Sequence, residues 1–260
     1  MIESLKNNDG LEDREIFVFV DGARDETDMS KIAEVCVLAR NLTSNVEISP
    51  CNKGLAASVI AGVSKLMDKY GSAIVIEDDL VLLPGFLNFM DAALDCYADN
   101  PRIFSVCGFS LKINKPAGYN YNVYLSPRSS SWGWATWKNR WDKVDWAVSD
   151  FNELKHSLHL RRSFNKGGSD MYSMLKRYMA GKNNSWAIRF CYSQFKNNAY
   201  SVQPFHTLVI NDGYGADATN CRQKYNRFKP AITTMNKSTL TPPPPTHTHL
   251  HIFTEKIVSK

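Results

Sequence analysis

Three consecutive carboxylates, Glu77, Asp78 and Asp79, carry the most distinctive chemistry in this sequence. They directly follow the apolar residues 73–76 and precede a second apolar run that leads to Pro84. Carboxylates at the end of a buried strand repel one another and are costly to desolvate, and a divalent cation bound by their oxygens offsets both costs. Because ligands of open α/β sheets bind outside the carboxyl ends of strands, the pattern predicts a metal site there. The alternative is an acidic loop that faces water.

The residues around this cluster predict strands that alternate with helices. Short apolar runs predict strands at 16–20, 46–48, 73–76 and 103–106, the third of them buried on both faces. Apolar residues at helical spacing predict helices at 28–41, 55–70 and 84–97, the last with Pro84 at its first position. Such alternation predicts an α/β fold with a mostly parallel central sheet flanked by helices.

Beyond residue 110 aromatic residues become dense, above all in the run SSSWGWATWKNRW, Ser129–Trp141. This run predicts either a packed helix entry with core tryptophans or a platform on which a sugar or base stacks. Asp170 follows two glycines and precedes a helix predicted at 171–179, so it either caps that helix or does chemistry. The remaining predictions are a strand or short helix at 186–195, a strand at 204–210 and a ligand-covering loop at 211–221.

The composition is that of a globular protein. Hydrophobic residues make up 43% of the chain and charged residues 22%, and the net charge of +5 comes without a dense basic tract, which argues against nucleic acid as a partner. No apolar run is long enough to span a membrane, the N-terminus is too polar for an export signal, and the six scattered cysteines are typical of reduced thiols. These features predict a cytoplasmic protein with at most peripheral contact at the inner face of the membrane.

Several common catalytic motifs are absent from the sequence, namely GxxxxGK[ST], GxSxG, HExxH and a GxGxxG that opens a helix after the first strand. Carboxylates that bind a hard cation therefore point to a phosphorylated ligand whose oxygens the metal bridges. The tail at 229–260 is rich in proline and lacks periodicity. Its alternating His247, His249 and His251 would share one face of an extended chain, but nothing in the sequence fixes the backbone there for metal binding.

An ordered set of motifs runs along residues 1–222 and is far more specific than any one of its members. These motifs are FVDG (19–22), NKGLAASVIAGV (52–63), AIVIEDDLVLLPGFLNFM (73–90), SWGWATW (131–137), GGSDMY (167–172), NSWAIRF (184–190) and NDGYG (211–215). Together they resemble bacterial glycosyltransferases of the GT-A fold that are related to the Golgi N-acetylglucosaminyltransferases.

This resemblance implies a donor site for a nucleoside diphosphate sugar, in the first place a UDP-sugar. It implies that Asp79 binds Mn²⁺ or Mg²⁺ on the diphosphate, and that Glu77 and Asp78 help to hold the nucleotide and the sugar. Asp21 matches the acid that touches the nucleoside. The metal would stabilise the departing nucleoside diphosphate.

The acceptor side is likewise implied by the resemblance. Asp170 matches the acid that takes a proton from the acceptor hydroxyl as it attacks the anomeric carbon, in an inverting single displacement. Trp134 and Trp186 are predicted contacts of the sugar or the acceptor. The predicted acceptor is a glycan or a lipid-linked glycan.

Family members begin with an additional strand and helix, and residues 1–9 match the end of that helix, so the resemblance implies a nucleotide pocket without its first strand. The predicted organisation is an N-terminally truncated nucleotide-sugar half at 1–125, an acceptor half of the same domain at 126–228 and an irregular tail at 229–260. Two alternatives stay open. One is a non-catalytic, nucleotide- or sugar-binding remnant, and the other is a metal-dependent phosphohydrolase, which would usually want a second metal site.

Overall fold

The computed structural model describes residues 1–213, in which strands and helices alternate as far as the middle of the chain and a helical lobe follows. The strands are β1 (Val18–Val20), β2 (Val46–Ile48), β3 (Ser72–Val75), β4 (Leu80–Leu82), β5 (Ile103–Cys107), β6 (Val123–Ser126), β7 (Trp134–Trp137), β8 (Tyr200–Pro204) and β9 (Val209–Asn211). The helices are α1 (Ile2–Lys6), α2 (Met29–Arg40), α3 (Leu55–Tyr70), α4 (Phe86–Tyr97), α5 (Lys138–Trp141), α6 (Phe151–His156), α7 (Leu158–Phe164), α8 (Met171–Met179) and α9 (Trp186–Lys196).

The central sheet is mixed, with the strand order β3-β7-β5-β8-β6. Its β5–β8 pair is parallel, whereas β3–β7, β7–β5 and β8–β6 are antiparallel. The α/β class is therefore confirmed, but the mostly parallel central sheet is not. The strands β3 and β5 do run in the same direction, which helix α4 makes possible as the crossover between them, and β7 inserts between them with the opposite direction. Two smaller pairs complete the topology, a parallel β1–β2 and an antiparallel β4–β9.

The strongly periodic helices of the first half lie where the sequence predicts them. Observed bounds agree with prediction for α3, and for α2 and α4 within two residues. Helix α4 begins after Pro84 because Gly85 adopts a left-handed conformation with φ 87°, which a helical residue cannot share. Among the described strands, β3 is half-buried rather than buried on both faces, since it lies at the edge of the central sheet.

The second half departs further from the sequence predictions. The aromatic run contains strand β7 before the short helix α5, so Trp134 and Trp137 lie in a strand and pack in different hydrophobic clusters, whereas Trp141 lies in the helix. Residues 186–195 belong to a helix, α9. The strand predicted at 204–210 is wrong, because the chain leaves β8 at Pro204 and starts β9, in another sheet, at Val209.

Three hydrophobic clusters hold these elements together. The largest packs helix α4 against the sheet, the second surrounds Trp134, and the third joins helices α6, α7 and α8 to α9. No helix within residues 1–213 is long and apolar enough to cross a membrane. The predicted tail at 229–260, the histidines His247, His249 and His251, and most of the loop predicted at 211–221 lie outside the described residues, and the predicted half boundary at 125/126 falls within β6.

Candidate functional site

The three consecutive carboxylates form the turn between β3 and β4, at the carboxyl end of β3. The amide of Leu80 donates to the carbonyl of Glu77, which closes the turn. The Glu77 side chain accepts a hydrogen bond from Ser131. Burial first, and then the negative charges of Asp79 and Asp78, raise the pKa of Glu77 to about 7 against the lowering effect of Ser131. The three acids thus form one mutually repulsive group.

Asp79 is hydrogen-bonded to residues at the end of β9. Its Oδ2 accepts a hydrogen bond of 2.9 Å from Asn211 Nδ2, and its carbonyl accepts one of 2.9 Å from the amide of Asp212. Its other carboxylate oxygen, Oδ1, is buried and has no hydrogen-bond partner among the described residues. Burial raises the pKa of Asp79, the Asn211 hydrogen bond opposes that rise, and the Asp78 charge adds to it.

A divalent cation fits this arrangement. A buried carboxylate oxygen without a donor costs free energy that a hard cation on that oxygen would recover. Within residues 1–213 no group of three or more acidic, histidine or cysteine side chains is arranged to hold a metal by itself. Because Mg²⁺ is commonly bound through only one or two protein carboxylates, with other oxygen ligands completing its shell, a site built on Asp79 does not require such a group.

Asp170 lies at the other side of the site, immediately before helix α8. Its carboxylate forms a two-pronged ion pair with Arg128, at 2.7 Å for Nη1–Oδ1 and 3.2 Å for Nη2–Oδ2. It occupies the N-cap position of α8 without a side-chain hydrogen bond to that helix, so the capping alternative does not describe its side chain. The side chain is 49% exposed, and a ligand can reach it.

The segment between β6 and β7 contacts both Asp170 and the acid turn. Arg128 holds Asp170, and Ser131, three positions later, holds Glu77. Since an extended chain spans at most about 3.6 Å per residue, the Cα atoms of Arg128 and Ser131 lie within roughly 11 Å of each other. The acid turn and Asp170 are thus both in contact with the loop between β6 and β7.

This loop is fixed by a buried polar network beneath it. The Ser129 hydroxyl lies 3.0 Å from that of Ser105, which lies 2.7 Å from that of Ser201. The amide of Ser130 donates to the sulfur of Cys107 at 3.2 Å, and the Gln203 side chain donates to the Arg128 carbonyl at 2.9 Å. Because these partners lie on β5 and β8, the central sheet sets the position of the loop.

Asp21 has a different environment from the other predicted site residues. Its Oδ1 accepts hydrogen bonds from the amides of Gly22 and Lys53, and its Oδ2 accepts one from the amide of Gly54 at 2.8 Å. Burial raises the pKa of Asp21, but these amide donors outweigh it and the pKa lies below its ordinary value. Asp21 thus ties the end of β1 to the start of α3, and its predicted nucleoside contact stays a prediction.

Trp134 and Trp186 lie in the second hydrophobic cluster, 0% and 4% exposed. The rings of Trp134 and Trp186 stack with centroids 4.8 Å apart, and the Trp141 ring stacks on Trp134 with centroids 5.9 Å apart. Since Trp134 is fully buried, its indole is covered by protein. This packing favours the core alternative for these tryptophans, and their predicted contact with a sugar or acceptor stays a prediction.

Sequence reasoning missed Arg128, Asn211 and the role of Ser131. Each is close in sequence to a motif that was recognised, but none belongs to a residue type whose spacing indicates chemistry by itself. A signal for Arg128 exists in retrospect, because it is a lone cation directly before three serines. Comparison of the sequence with models of known protein families and with curated proteins finds no match.

Proposed function

We propose that this protein is a metal-dependent glycosyltransferase of the GT-A fold, which moves a sugar from a nucleoside diphosphate sugar to an acceptor hydroxyl with inversion. The observation that carries the proposal is the buried, unpartnered Oδ1 of Asp79 at the carboxyl end of β3, within a turn of three carboxylates. A bound cation, together with the anionic ligand of that cation, would stabilise a carboxylate oxygen that is buried without a hydrogen-bond donor. The motif set and the strand–helix alternation before β3 support the same proposal.

The bound cation would neutralise the charge that develops on the diphosphate as it leaves. Asp79 would hold it through Oδ1, with Asn211 keeping the carboxylate in place through Oδ2. The pKa of Glu77 is about 7, so both its charged and its protonated form are populated at neutral pH. Its side chain, which also contacts Ser131, can therefore accept a hydrogen bond from a hydroxyl of the nucleotide or sugar, or donate one to it. Asp78, which is exposed, is the third acid beside the donor.

Asp170 would take the proton of the acceptor hydroxyl as that oxygen attacks the anomeric carbon. Its half-exposed carboxylate and its ion pair with Arg128, on the loop whose Ser131 contacts Glu77, support this role. The Arg128 guanidinium orients the carboxylate through its two-pronged ion pair. The acceptor is proposed to be a glycan or a lipid-linked glycan.

A second candidate, a nucleotide- or sugar-binding protein without catalysis, has its own supporting observation. Both oxygens of Asp170 are engaged by Arg128, and both oxygens of Asp21 accept hydrogen bonds from backbone amides. A phosphohydrolase is less supported, since it would usually want two metal ions, and residues 1–213 contain no group of three or more acidic, histidine or cysteine side chains arranged to hold a metal.

Calorimetric titration of UDP, and separately of GDP, in Mn²⁺ and in EDTA tests the donor site. The wild type is compared with Asp79→Ala, and with Asp150→Ala as a control that removes a carboxylate of another ion pair. Binding that requires Mn²⁺ and is lost in Asp79→Ala but kept in Asp150→Ala supports the proposal and identifies the base. Absence of metal-dependent binding to either nucleotide by a cooperatively melting wild type would overturn it.

Transfer and simple binding are distinguished in a second step. The protein is incubated with the UDP-sugar or GDP-sugar that binds and with a mixture of glycan acceptors, and nucleoside diphosphate release is followed with and without acceptor. Acceptor-dependent release supports the transferase, whereas tight binding without release supports the non-catalytic candidate. Release of inorganic phosphate would indicate a phosphohydrolase.

A further inference from the structure

The positive charge of this chain is concentrated in one segment. Residues 151–182 carry seven Lys and Arg against two acids, a net charge of +5 that equals the net charge of the whole chain. The rest of the sequence is therefore electrically balanced. The segment comprises helices α6, α7 and α8, which pack on one another and on α9 through the third hydrophobic cluster.

Both acids of the segment are paired with cations from outside it. Glu153 pairs with Lys196, and Asp170 pairs with Arg128. None of the seven cations forms an ion pair with another residue in the described part of the chain. The positive charge of the lobe is thus not neutralised by ion pairs within residues 1–213.

The cations lie on the outer faces of the helices. In α8 the buried Met171 and Leu175 face the core, whereas Lys176 and Arg177 are exposed on the opposite side. In α7 the exposed Arg162 lies one turn after Leu158, on the face opposite the buried Phe164. The other exposed cations of the lobe are Lys155, Lys166 and Lys182.

Two large apolar side chains are exposed to solvent among these cations. Leu158 is 63% exposed and Met179, beside Lys176 in helix α8, is 39% exposed. On a basic face that contacted only water, the exposure of these apolar side chains would bring no gain in free energy. Cations that surround a few protruding apolar side chains are the pattern of a surface that lies on an anionic bilayer, with the apolar groups at the boundary of the headgroups and the acyl chains.

We propose that the outer surface of α6, α7 and α8 is a docking surface for an anionic phospholipid membrane. This surface is called the basic lobe surface and consists of Leu158, Met179 and the exposed cations named above. The inference does not depend on the proposed transfer activity. It places Asp170, which directly precedes α8, at the membrane-facing side of the candidate site, where a lipid-linked acceptor would arrive.

An anionic polymer is the competing partner for such a surface. Charge alone would serve it, because counterion release dominates the binding of polyanions to cations. The exposed Leu158 and Met179 favour the bilayer, since a hydrophilic polymer gains nothing from them and a bilayer does.

Flotation with vesicles tests the proposal on the full chain. Vesicles of phosphatidylcholine alone are compared with vesicles of equal parts phosphatidylcholine and phosphatidylglycerol, at low and at high salt. The expected result is binding to the anionic vesicles that weakens at high salt. The double variant Lys176→Gln/Arg177→Gln is expected to lose affinity for them by roughly thirtyfold, on the order of fivefold for each cation near the surface.

A matched control removes the same charge elsewhere. Lys31 and Arg40 are exposed on helix α2, which also presents the exposed apolar residues Val35, Val37 and Leu38. The double variant Lys31→Gln/Arg40→Gln is expected to bind anionic vesicles within about twofold of wild type, because it leaves the basic lobe surface unchanged. Leu158→Ser is expected to reduce the binding that survives high salt.

Three outcomes would overturn the proposal. One is equal binding to neutral and anionic vesicles, and another is an equal loss in the two double variants, which would show a net-charge effect or docking through α2. The third is unchanged vesicle binding by Lys176→Gln/Arg177→Gln together with lost binding to dextran sulfate, which would assign the surface to an anionic polymer. Far-UV circular dichroism verifies that each variant folds, and none of the substituted side chains is buried.

Discussion

The guanidinium of Arg128 pairs with the carboxylate of Asp170 through two hydrogen bonds, from Nη1 to Oδ1 at 2.7 Å and from Nη2 to Oδ2 at 3.2 Å. The two side chains are 27% and 49% exposed, so the pair adds little to the stability of the fold. Its effect is geometric. A planar fork fixes the plane of the carboxylate, which a single hydrogen bond would leave free to rotate.

Arg128→Lys should therefore slow sugar transfer by about tenfold to a hundredfold, since an ammonium cannot reproduce the two-pronged contact and small misplacements of a base are costly. Asp170→Asn should lower kcat further, by roughly 10²–10⁴. Both variants should bind UDP with Mn²⁺ within about twofold of wild type, because the ion pair described here joins these two residues to each other rather than to the acid turn. Steady-state kinetics and calorimetry on the same preparations measure the two effects separately.

Lys196→Ala serves as the control for these variants, because it removes a cation from another exposed pair in the same lobe, with Asp150. It should leave kcat unchanged. If Arg128→Lys kept the wild-type kcat, the orienting role of Arg128 would be refuted.

Gly168→Ala should disturb the ion pair between Arg128 and Asp170. Gly168 has φ 150°, and a Cβ there would lie 2.5 Å from Arg128 Nη1 and 2.7 Å from Asp170 Oδ1. We expect a loss of about 1–3 kcal/mol in the free energy of unfolding from backbone strain, together with slower transfer. Gly181→Ala is the matched control, since Gly181 has φ 67° and open space around it, and it should lose stability without losing activity. Urea denaturation and kinetics provide both readouts, and an equal activity loss in the two variants would contradict the prediction.

Asp79→Asn should make the metal-free protein more stable while it abolishes Mn²⁺-dependent nucleotide binding. The substitution removes a charge whose Oδ1 is buried without a partner in the described structure and which lies beside two other acids. We expect a gain of about 1–3 kcal/mol in the free energy of unfolding in EDTA. Asp95→Asn, in helix α4 and exposed, should change neither quantity. A destabilised Asp79→Asn would mean that Asp79 serves the fold rather than a ligand.

Glu77 should make the stability of the metal-free protein depend on pH. Its pKa is about 7 in the folded protein and 4.5 as its ordinary value, so the folded state binds the proton more tightly. The stabilising contribution is fully present below the ordinary value and is lost as the pH rises through about 7. Stability in EDTA should fall by up to roughly 3 kcal/mol between about pH 5 and about pH 8 from this group.

Glu77→Gln should flatten that fall, whereas Glu12→Gln, at an exposed position, should retain it. Denaturation curves at several pH values measure the slope. A slope that survives unchanged in Glu77→Gln would show that another group is responsible.

Trp134→Phe should cost about 1–3 kcal/mol of stability, because it opens a cavity between Trp141 and Trp186. Affinity for the nucleotide should stay within about twofold of wild type. Thermal denaturation and calorimetry test this, with Trp146→Phe, at the partly buried edge of the same cluster, as the control. Lost affinity in a protein of wild-type stability would instead favour the stacking platform.

The parts of this fold that local patterns determine could be predicted from the sequence. Helix α3 was predicted to the residue because its apolar positions repeat over sixteen residues and Gly71 ends it with a left-handed C-cap. The insertion of β7 between β3 and β5 could not be predicted, since strand order depends on pairing between distant segments. The tryptophans of β7 also misled the prediction, because small residues between bulky ones suit a buried strand as well as a packed helix entry.

The candidate site likewise contains some residues that could be predicted from the sequence and others that could not. Three adjacent acids after an apolar run identify themselves by composition, and Asp170 is distinguished by the two glycines before it. The groups that neutralise or orient these acids, Ser131, Asn211 and Arg128, have common side chains and acquire meaning only from the contacts they make. No pattern in one sequence announces such contacts.

The partners of the acid turn have a consequence for the order of events during folding. Asn211 is 132 residues from Asp79, and Arg128 is 42 residues from Asp170, so the site consists of contacts that close long loops. Their entropic cost is met only after the sheet has formed. A chain that has been synthesised as far as residue 125 already contains all three carboxylates of the turn, but none of Arg128, Ser131, Asp170 or Asn211. Ligand-binding competence should thus be among the last properties that the growing chain acquires.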